Sequence, residues 1–328
     1  MNKREITSVK NSDAYIARLV EVARAYYVED QTQAEIARSL GLSRSLISRY
    51  LSTARELGIV QITIAAPEWT FDALARALRG RYPRLKAVVI APTFSDEPDA
   101  QRAMIGRFAA NYLADIIQPG MKLALGCGRT LRATVDALPR RSIADVDVVQ
   151  AMGSIGHEAH HIDFNEIARK AADSLGGQAH YLSAPAILGS GSAAEFVAAN
   201  PTLQYSLAIA DAADVYVVGL GTLESDQLYA RVGLIRDHDL SDLRGRAVGD
   251  ICGRFFDIDG HEQPTAFAGR IVGIELDRLR AAPLSVGVAG GDDKVAPLLG
   301  ALRGGYINAL VSDEHTLQAL LRLEDENR

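Results

Sequence analysis

From Gln31 to Val60 the chain reads QTQAEIARSLGLSRSLISRYLSTARELGIV, which predicts a helix, a tight turn and a second helix. Thr32 is placed to cap a helix from Gln33 to Leu40, and Glu35 at the third helical position completes a capping box. Gly41 stops that helix. Ser43 caps the next, in which Leu46, Ile47, Tyr50, Leu51, Ala54 and Leu57 follow helical spacing and leave Arg44, Ser45, Ser48, Arg49, Ser52 and Arg55 on the other face. Between Glu35 and Glu56 stand four arginines, Arg38, Arg44, Arg49 and Arg55, and no carboxylate, so the local field suits a phosphate backbone. A two-helix hairpin with a solvated charged face is the plainer reading. The capped turn, the short connection and the one-sided charge together favour a DNA-reading element. Arg44, Ser45, Ser48 and Arg49 would then face the major groove, Ser43 would meet a phosphate at the helix start, and Gln33 would approach the backbone from the preceding helix.

Upstream, residues 13 to 28 place Ile16, Leu19, Val20, Ala23 and Tyr27 at helical spacing, which predicts a first helix and hence a three-helix unit. Downstream, Ile59, Val60, Ile62 and Ile64 form a β-prone segment suited to a wing or a lead-in, before Ala65-Ala66-Pro67 breaks the pattern. The expected organisation is a helix-turn-helix domain over residues 1–64, a linker over 65–69 and a second domain over 70–328.

A length of 328 residues, 48% hydrophobic and 23% charged, fits two domains with ample core-forming material. The net charge of -6 opposes DNA binding only as an average. Residues 1–64 hold nine Lys and Arg against seven Asp and Glu, whereas the remainder holds 26 against 34. Cys127 and Cys252 are the only cysteines, without CxxC spacing, which fits a reducing cytoplasm. The amino-terminal MNKREITSVKNSD has no apolar core of a secretory signal, and no stretch approaches a membrane span. A cytoplasmic protein without a membrane partner is expected.

From residue 70 onward short apolar runs alternate with amphipathic ones. The runs 87–91, 122–126, 146–151, 214–220, 284–290 and 308–312 are rich in Val, Ile and Leu, as strands buried on both faces should be. Helical patterns over 98–117, 129–138, 164–175, 201–212, 293–302 and 313–323 separate them. An open, mostly parallel, Rossmann-like α/β sheet with helices on both sides is expected.

Three glycine-bearing turns follow predicted strands: Gly126-Cys127-Gly128-Arg129-Thr130, Gly219-Leu220-Gly221-Thr222 and Gly290-Gly291-Asp292-Asp293-Lys294. Each can open toward the carboxyl edge of the sheet, where ligands bind in open α/β folds. The first and third run into helices on what read as neighbouring strand ends, and Thr130 and Lys294 add a hydroxyl and a charge to the exposed N–H groups, as a phosphate cradle requires. Leu131 and Glu224 occupy the places of a dinucleotide fingerprint's third glycine, and no loop has the Lys-Ser/Thr pair of a P-loop. No nicotinamide or nucleoside triphosphate cofactor is expected.

Asp250, in Val248-Gly249-Asp250-Ile251-Cys252-Gly253, can accept bonds from sugar hydroxyls or act simply as a turn residue. His157, His160 and His161 have no HExxH order and read as a polar loop, so no metal is expected. Cys127 reads as a small lining residue, because no base accompanies it. An enzyme of the sugar-phosphate isomerase or deaminase class needs a positioned acid and base, and Asp250 alone does not supply the pair; His238 is the histidine nearest it in sequence. A binding module is favoured over an enzyme.

Together these features resemble the SorC family of bacterial transcriptional regulators, sometimes grouped under DeoR-type names, over nearly the whole chain. AYYVEDQTQAEIARSLGLSRSLISRYLSTARELGIVQI looks like the family's DNA-binding unit and DKVAPLLGALRGGYINALVSDEHTLQALL like its carboxyl-terminal signature. Between them NEIARKAADSLGGQAHYLSAPAIL, DVYVVGLGT and VGDICGRFFDIDG occur in the family's order. The resemblance implies an effector domain with the fold of sugar-phosphate isomerases and deaminases, usually in a tetramer. Carried over, Gly128, Arg129, Thr130 and Lys294 would hold the phosphate of a phosphorylated sugar or polyol, Asp250 would contact its hydroxyls, and Gly219 and Gly221 would shape the opposite wall. Double-stranded operator DNA is the expected second partner. A homo-oligomer, dimer or tetramer, is expected because one helix-turn-helix unit covers too little DNA for tight operator binding.

Overall fold

The computed structural model of the chain describes residues 13–57, 59–60, 71–95, 97–155, 163–223, 229 and 233–326. Tertiary contacts divide the chain into two units, Met1–Pro67 and Glu68–Arg328.

The first unit contains α1 (Asp13–Tyr27), α2 (Gln33–Leu40) and α3 (Arg44–Glu56). Glu35 N–H donates to Thr32 Oγ1 at 3.3 Å, and Thr32 N–H donates to Glu35 Oε2 at 2.8 Å. Such a cap stabilises a helix start by about 1 kcal/mol. Gly41 ends α2 in the left-handed region, and Ser43 Oγ accepts from Leu46 N–H at 3.2 Å to open α3. Leu19, Val22, Ile36, Ile47, Leu51 and Ala54 are buried between the helices. Two expected inward positions differ. Val20 is 46% exposed, because Leu19, Val22 and Ala23 hold the i, i+3, i+4 stripe and Val20 lies off it; Leu57, beyond the end of α3, is 50% exposed. Ile59 and Val60 pack against Leu19, Ala23 and Ala54 without forming a strand. The rest of the expected wing, Ile62 and Ile64, and the linker 65–69 lie outside the described residues.

In chain order the second unit contains α4 (Asp72–Arg81), β1 (Ala87–Ala91), α5 (Pro98–Ile116), β2 (Lys122–Leu125), α6 (Arg129–Asp136), β3 (Asp147–Gln150), α7 (Phe164–Leu175), β4 (Gln178–His180), α8 (Ala193–Ala198), α9 (Pro201–Asp211) and β5 (Val215–Val218). It continues with α10 (Asp237–Leu243), β6 (Gly249–Ile251), β7 (Arg254–Phe256), α11 (Leu276–Ala281), β8 (Leu284–Val288), α12 (Val295–Arg303), β9 (Ala309–Asp313) and α13 (Glu314–Glu326). Seven strands form one sheet in the order β1-β9-β8-β5-β2-β3-β4, every pair parallel. The six apolar runs all become strands of this Rossmann-like sheet. β5 and β9 are buried along their whole length, as helices on both faces require. β4 and the antiparallel pair β6-β7 are additions to the expected set.

Strand order sets the site. The chain moves outward from β2 through β3 to β4, then returns to place β5 on the other side of β2. β2 and β5 therefore flank a topological switch point, where loops leave in opposite directions and open a crevice at the carboxyl edge. β2 and β8 are not neighbours, as their loops had suggested; β5 lies between them, and the three glycine-bearing turns leave three contiguous strands. Helix α5 closes one side. A Cβ on Gly106 would stand 2.7 Å from the Ala133 carbonyl carbon and 2.8 Å from Thr134 N, so only glycine lets α5 pack this closely on α6. One turn earlier on α5, Arg102 lines the same cleft as the start of α6.

Candidate functional site

The crevice is a cleft enclosing about 140 Å3, and all seven sequence-predicted effector residues line it: Gly128, Arg129, Thr130, Gly219, Gly221, Asp250 and Lys294. Gly128 is the N-cap of α6, where no side chain supplies a cap bond. The first turn of a helix presents N–H groups without intrahelical partners and the positive end of the helix dipole, so this start suits an anion. Lys294 ends the short 3-10 turn Asp292–Lys294 ahead of α12, rather than entering an α-helix directly.

Arg102 also lines the cleft and was not legible as a site residue. Its place depends on the α5-α6 packing, which joins segments with no local pattern in common. Arg102 is ion-paired with Asp99, and Lys294 Nζ lies 3.0 Å from Asp293 Oδ2. In both pairs the carboxylate faces solvent while the cation is largely covered. Water can take over the solvated carboxylate, so either cation can exchange it for another anion at small cost.

Asp250 is buried in β6 and held from several directions. Its backbone exchanges bonds with Gly221, N–H to O at 2.9 and 3.3 Å, and its Oδ2 accepts from Gly253 N–H at 2.9 Å. The space a Cβ on Gly221 would take is filled by the Asp250 carboxylate. The turn role and the cleft-lining role thus coincide in one residue. Cys252 and Gly253, both at positive φ, form the two-residue turn between β6 and β7.

Tyr229, a second lining residue that the sequence did not reveal, is buried and donates its hydroxyl toward Met152 Sδ at 3.4 Å. The hydroxyl also interacts with Asp250, and burial together with that carboxylate pushes its pKa well up. Burial, then Cys252 and Asp250, push the Cys127 thiol well above its ordinary value; burial, then Asp250, push Cys252 up to about 12. Both thiols are neutral walls at physiological pH, which agrees with Cys127 as a small lining residue. His238 does not line the cleft and stands exposed beside Asp239. His157, His160 and His161 lie outside the described residues, among which no group of three or more His, Cys, Asp and Glu could hold a metal ion.

On the first unit, Ser43, Arg44, Ser45, Ser48 and Arg49 are exposed along α3, on the face opposite Ile47, Leu51 and Ala54. Gln33, at the start of α2, is half-buried.

Comparison with known proteins gives the class. A sugar-binding domain family matches residues 70–322, the span that contains the sheet and the cleft. The chain is 32% identical over 304 residues to the deoxyribonucleoside regulator of Bacillus subtilis (strain 168), covering 92% of this chain and 96% of that one. It is also 32% identical over 322 residues to the sorbitol operon regulator of Klebsiella pneumoniae, covering 96% and 100%. The crystal structure of the full-length sorbitol operon regulator SorC from Klebsiella pneumoniae superposes with a TM-score of 0.74 at 32% identity, over 95% of this chain and 100% of that one. The fold and these relatives define a sugar-binding transcriptional regulator, not an enzyme. The chain belongs to the SorC family.

The thiol environment carries a pH dependence. Cys252 ordinarily ionises near 9.0 and here near 12, so its neutral form stabilises the fold fully below pH 9, and that contribution is lost as pH rises from 9 toward 12. Urea unfolding should show stability falling across this window, with a shallower fall in Cys252→Ala. At pH 8 iodoacetamide should label Cys252 slowly in the folded protein and promptly in urea; prompt labelling of the folded protein would contradict the assignment.

Proposed function

We propose that the chain regulates a carbohydrate or polyol catabolic operon by binding operator DNA under the control of a phosphorylated sugar or polyol. The observation that carries this reading is the convergence of three glycine-bearing loops, from the contiguous strands β8, β5 and β2, on a cleft that holds Arg102, Arg129 and Lys294 beside a buried carboxylate. In it, Gly128, Arg129, Thr130 and Lys294 hold the phosphate, Asp250 accepts from effector hydroxyls, and Gly219 and Gly221 keep the opposing wall close. The names of the sorbitol operon and deoxyribonucleoside regulators support a carbohydrate-linked operon. We extend the sheet's architecture to a kinship with sugar-phosphate isomerases and deaminases, which concerns fold and not activity.

In the same reading residues 1–64 are the helix-turn-helix domain, 65–69 the linker and 70–328 the effector and oligomerisation domain. Arg44, Ser45, Ser48 and Arg49 enter the major groove, Ser43 meets a phosphate and Gln33 approaches the backbone. The protein acts in the cytoplasm as a homodimer or homotetramer, since symmetric pairs of reading heads double the contact on a palindromic site. Sedimentation as a monomer with operator bound would contradict that assembly.

Calorimetry with paired phosphorylated and unphosphorylated sugars and polyols tests the cleft. The phosphorylated member should bind tighter, and Lys294→Ala should weaken it by about tenfold or more, as the loss of a charge-assisted contact to phosphate does. DNA binding by the ligand-free variant should persist. Equal affinity for the two members of every pair, or unchanged affinity in Lys294→Ala, would overturn the assignment.

A further inference from the structure

The four residues ahead of Lys294 in its loop bring no side chain to the core. Gly290 and Gly291 have none, Asp292 and Asp293 are exposed, and the contact of His315 Nε2 with Asp292 Oδ1, at 3.3 Å, is exposed as well. The loop is held instead from behind, by the end of β9 and the first turn of α13. Gly291 N–H donates to Thr316 Oγ1 at 2.8 Å, and Gly291 O accepts from Lys294 N–H at 2.9 Å. Thr316 Oγ1 in turn donates to Asp313 Oδ2 at 2.6 Å, and both residues are buried. A Cβ on Gly290 would stand 2.3 Å from that same oxygen, so the loop also packs on the carboxylate.

Part of this arrangement is helix capping. Asp313 precedes α13, and its Oδ1 accepts from Thr316 N–H at 2.9 Å, as an N-cap carboxylate does. Thr93 Oγ1 reaches the same oxygen at 3.4 Å. The cap asks nothing of Oδ2 or of the threonine hydroxyl. A hydroxyl has one proton and two lone pairs, so with its proton committed to Asp313 a lone pair is left for Gly291 N–H. The carboxylate thereby fixes the hydroxyl as an acceptor, and in buried surroundings such bonds strengthen one another. The chain that starts at Asp313 ends on the backbone of Lys294, whose side chain lines the cleft.

We propose that Asp313 and Thr316 are positioning residues for Lys294: acting through Gly291, they hold the loop so that the cleft's affinity for a phosphate depends on a buried pair that does not line it. The proposal rests on the phosphosugar reading of this cleft. Thr316 meets no ligand, and any effect of its hydroxyl on binding travels through the loop.

Thr316→Val, measured in the full-length protein, tests this, because valine is also β-branched and keeps the N–H that Asp313 caps while losing the hydroxyl. In the ligand-free protein, hydrogen exchange resolved at single amides should find Gly291 protected. Thr316→Val should speed exchange at Gly291 and Lys294 by about tenfold or more and leave the later turns of α13 little changed. In calorimetry with a panel of pentose, hexose and hexitol monophosphates, Thr316→Val should weaken the tightest binder by about three- to tenfold, and Thr316→Ser should restore it to within about twofold. In a Lys294→Ala background Thr316→Val should change that affinity by less than about twofold. A merely structural role would lower the melting temperature and leave the affinity of the folded protein as it was. If Thr316→Val fails to fold, Asp313→Asn takes its place with the same expectations, since it keeps the cap acceptor and turns a donor toward the hydroxyl. Rapid exchange at Gly291 in the unsubstituted protein, full affinity in a folded variant, or an equal loss with and without Lys294 overturns the inference while sparing the phosphosugar reading. Unchanged affinity in Lys294→Ala, or binding by no member of the panel, overturns that reading, and the proposed role in phosphate affinity falls with it.

Discussion

Gly221 and Asp250 bond backbone to backbone in both directions, and the Asp250 carboxylate occupies the volume that any side chain at 221 would claim. This contact fastens the β6-β7 pair to the loop that leaves β5, the strand beside the switch point. Remove it and the cleft loses its floor, because Asp250 and Cys252 both enter through that pair. A buried carboxylate is expensive unless bonded, and here Gly253 N–H donates to Asp250 Oδ2.

Around that floor the parallel sheet does what such sheets do: it brings loops distant in sequence to one edge and ends each at a helix start. The result separates two tasks. In the function proposed above, helix starts and the cleft's cations attract a phosphate, and the wall that carries Asp250 meets what the phosphate is attached to. Neither task involves proton transfer, and the neutral thiols provide no activated nucleophile. The cleft is built for binding, which is what a regulator of the SorC family needs from it.

The apolar runs made the parallel strands legible, since a strand covered on both faces has little freedom in composition. β4, with the sequence Gln-Ala-His at the sheet edge, has no such constraint and gave no signal. The turn at Cys252-Gly253 was obscure because its first residue is neither Asn nor Asp, the usual occupants of a left-handed hairpin position. Glycine, threonine and lysine in the three loops pointed to the carboxyl edge of the sheet, where they line one cleft, because their chemistry is local. Arg102 and Tyr229 were hidden because theirs is not: one arrives through the Gly106 packing of α5 on α6, the other on a segment without periodicity. In the amino-terminal unit the caps at Thr32 and Ser43 were readable residue by residue, whereas choosing Val22 over Val20 for the core required the packing of three helices.

In the function proposed above, occupancy of this cleft and occupancy of the operator are linked. Linkage is reciprocal for binding free energies. The direct measurement is therefore a closed thermodynamic square at fixed salt: operator affinity with and without saturating effector, and effector affinity with and without saturating operator. The two ratios should be equal and differ from one. Ratios of one on both sides, with effector and operator each bound, would contradict it.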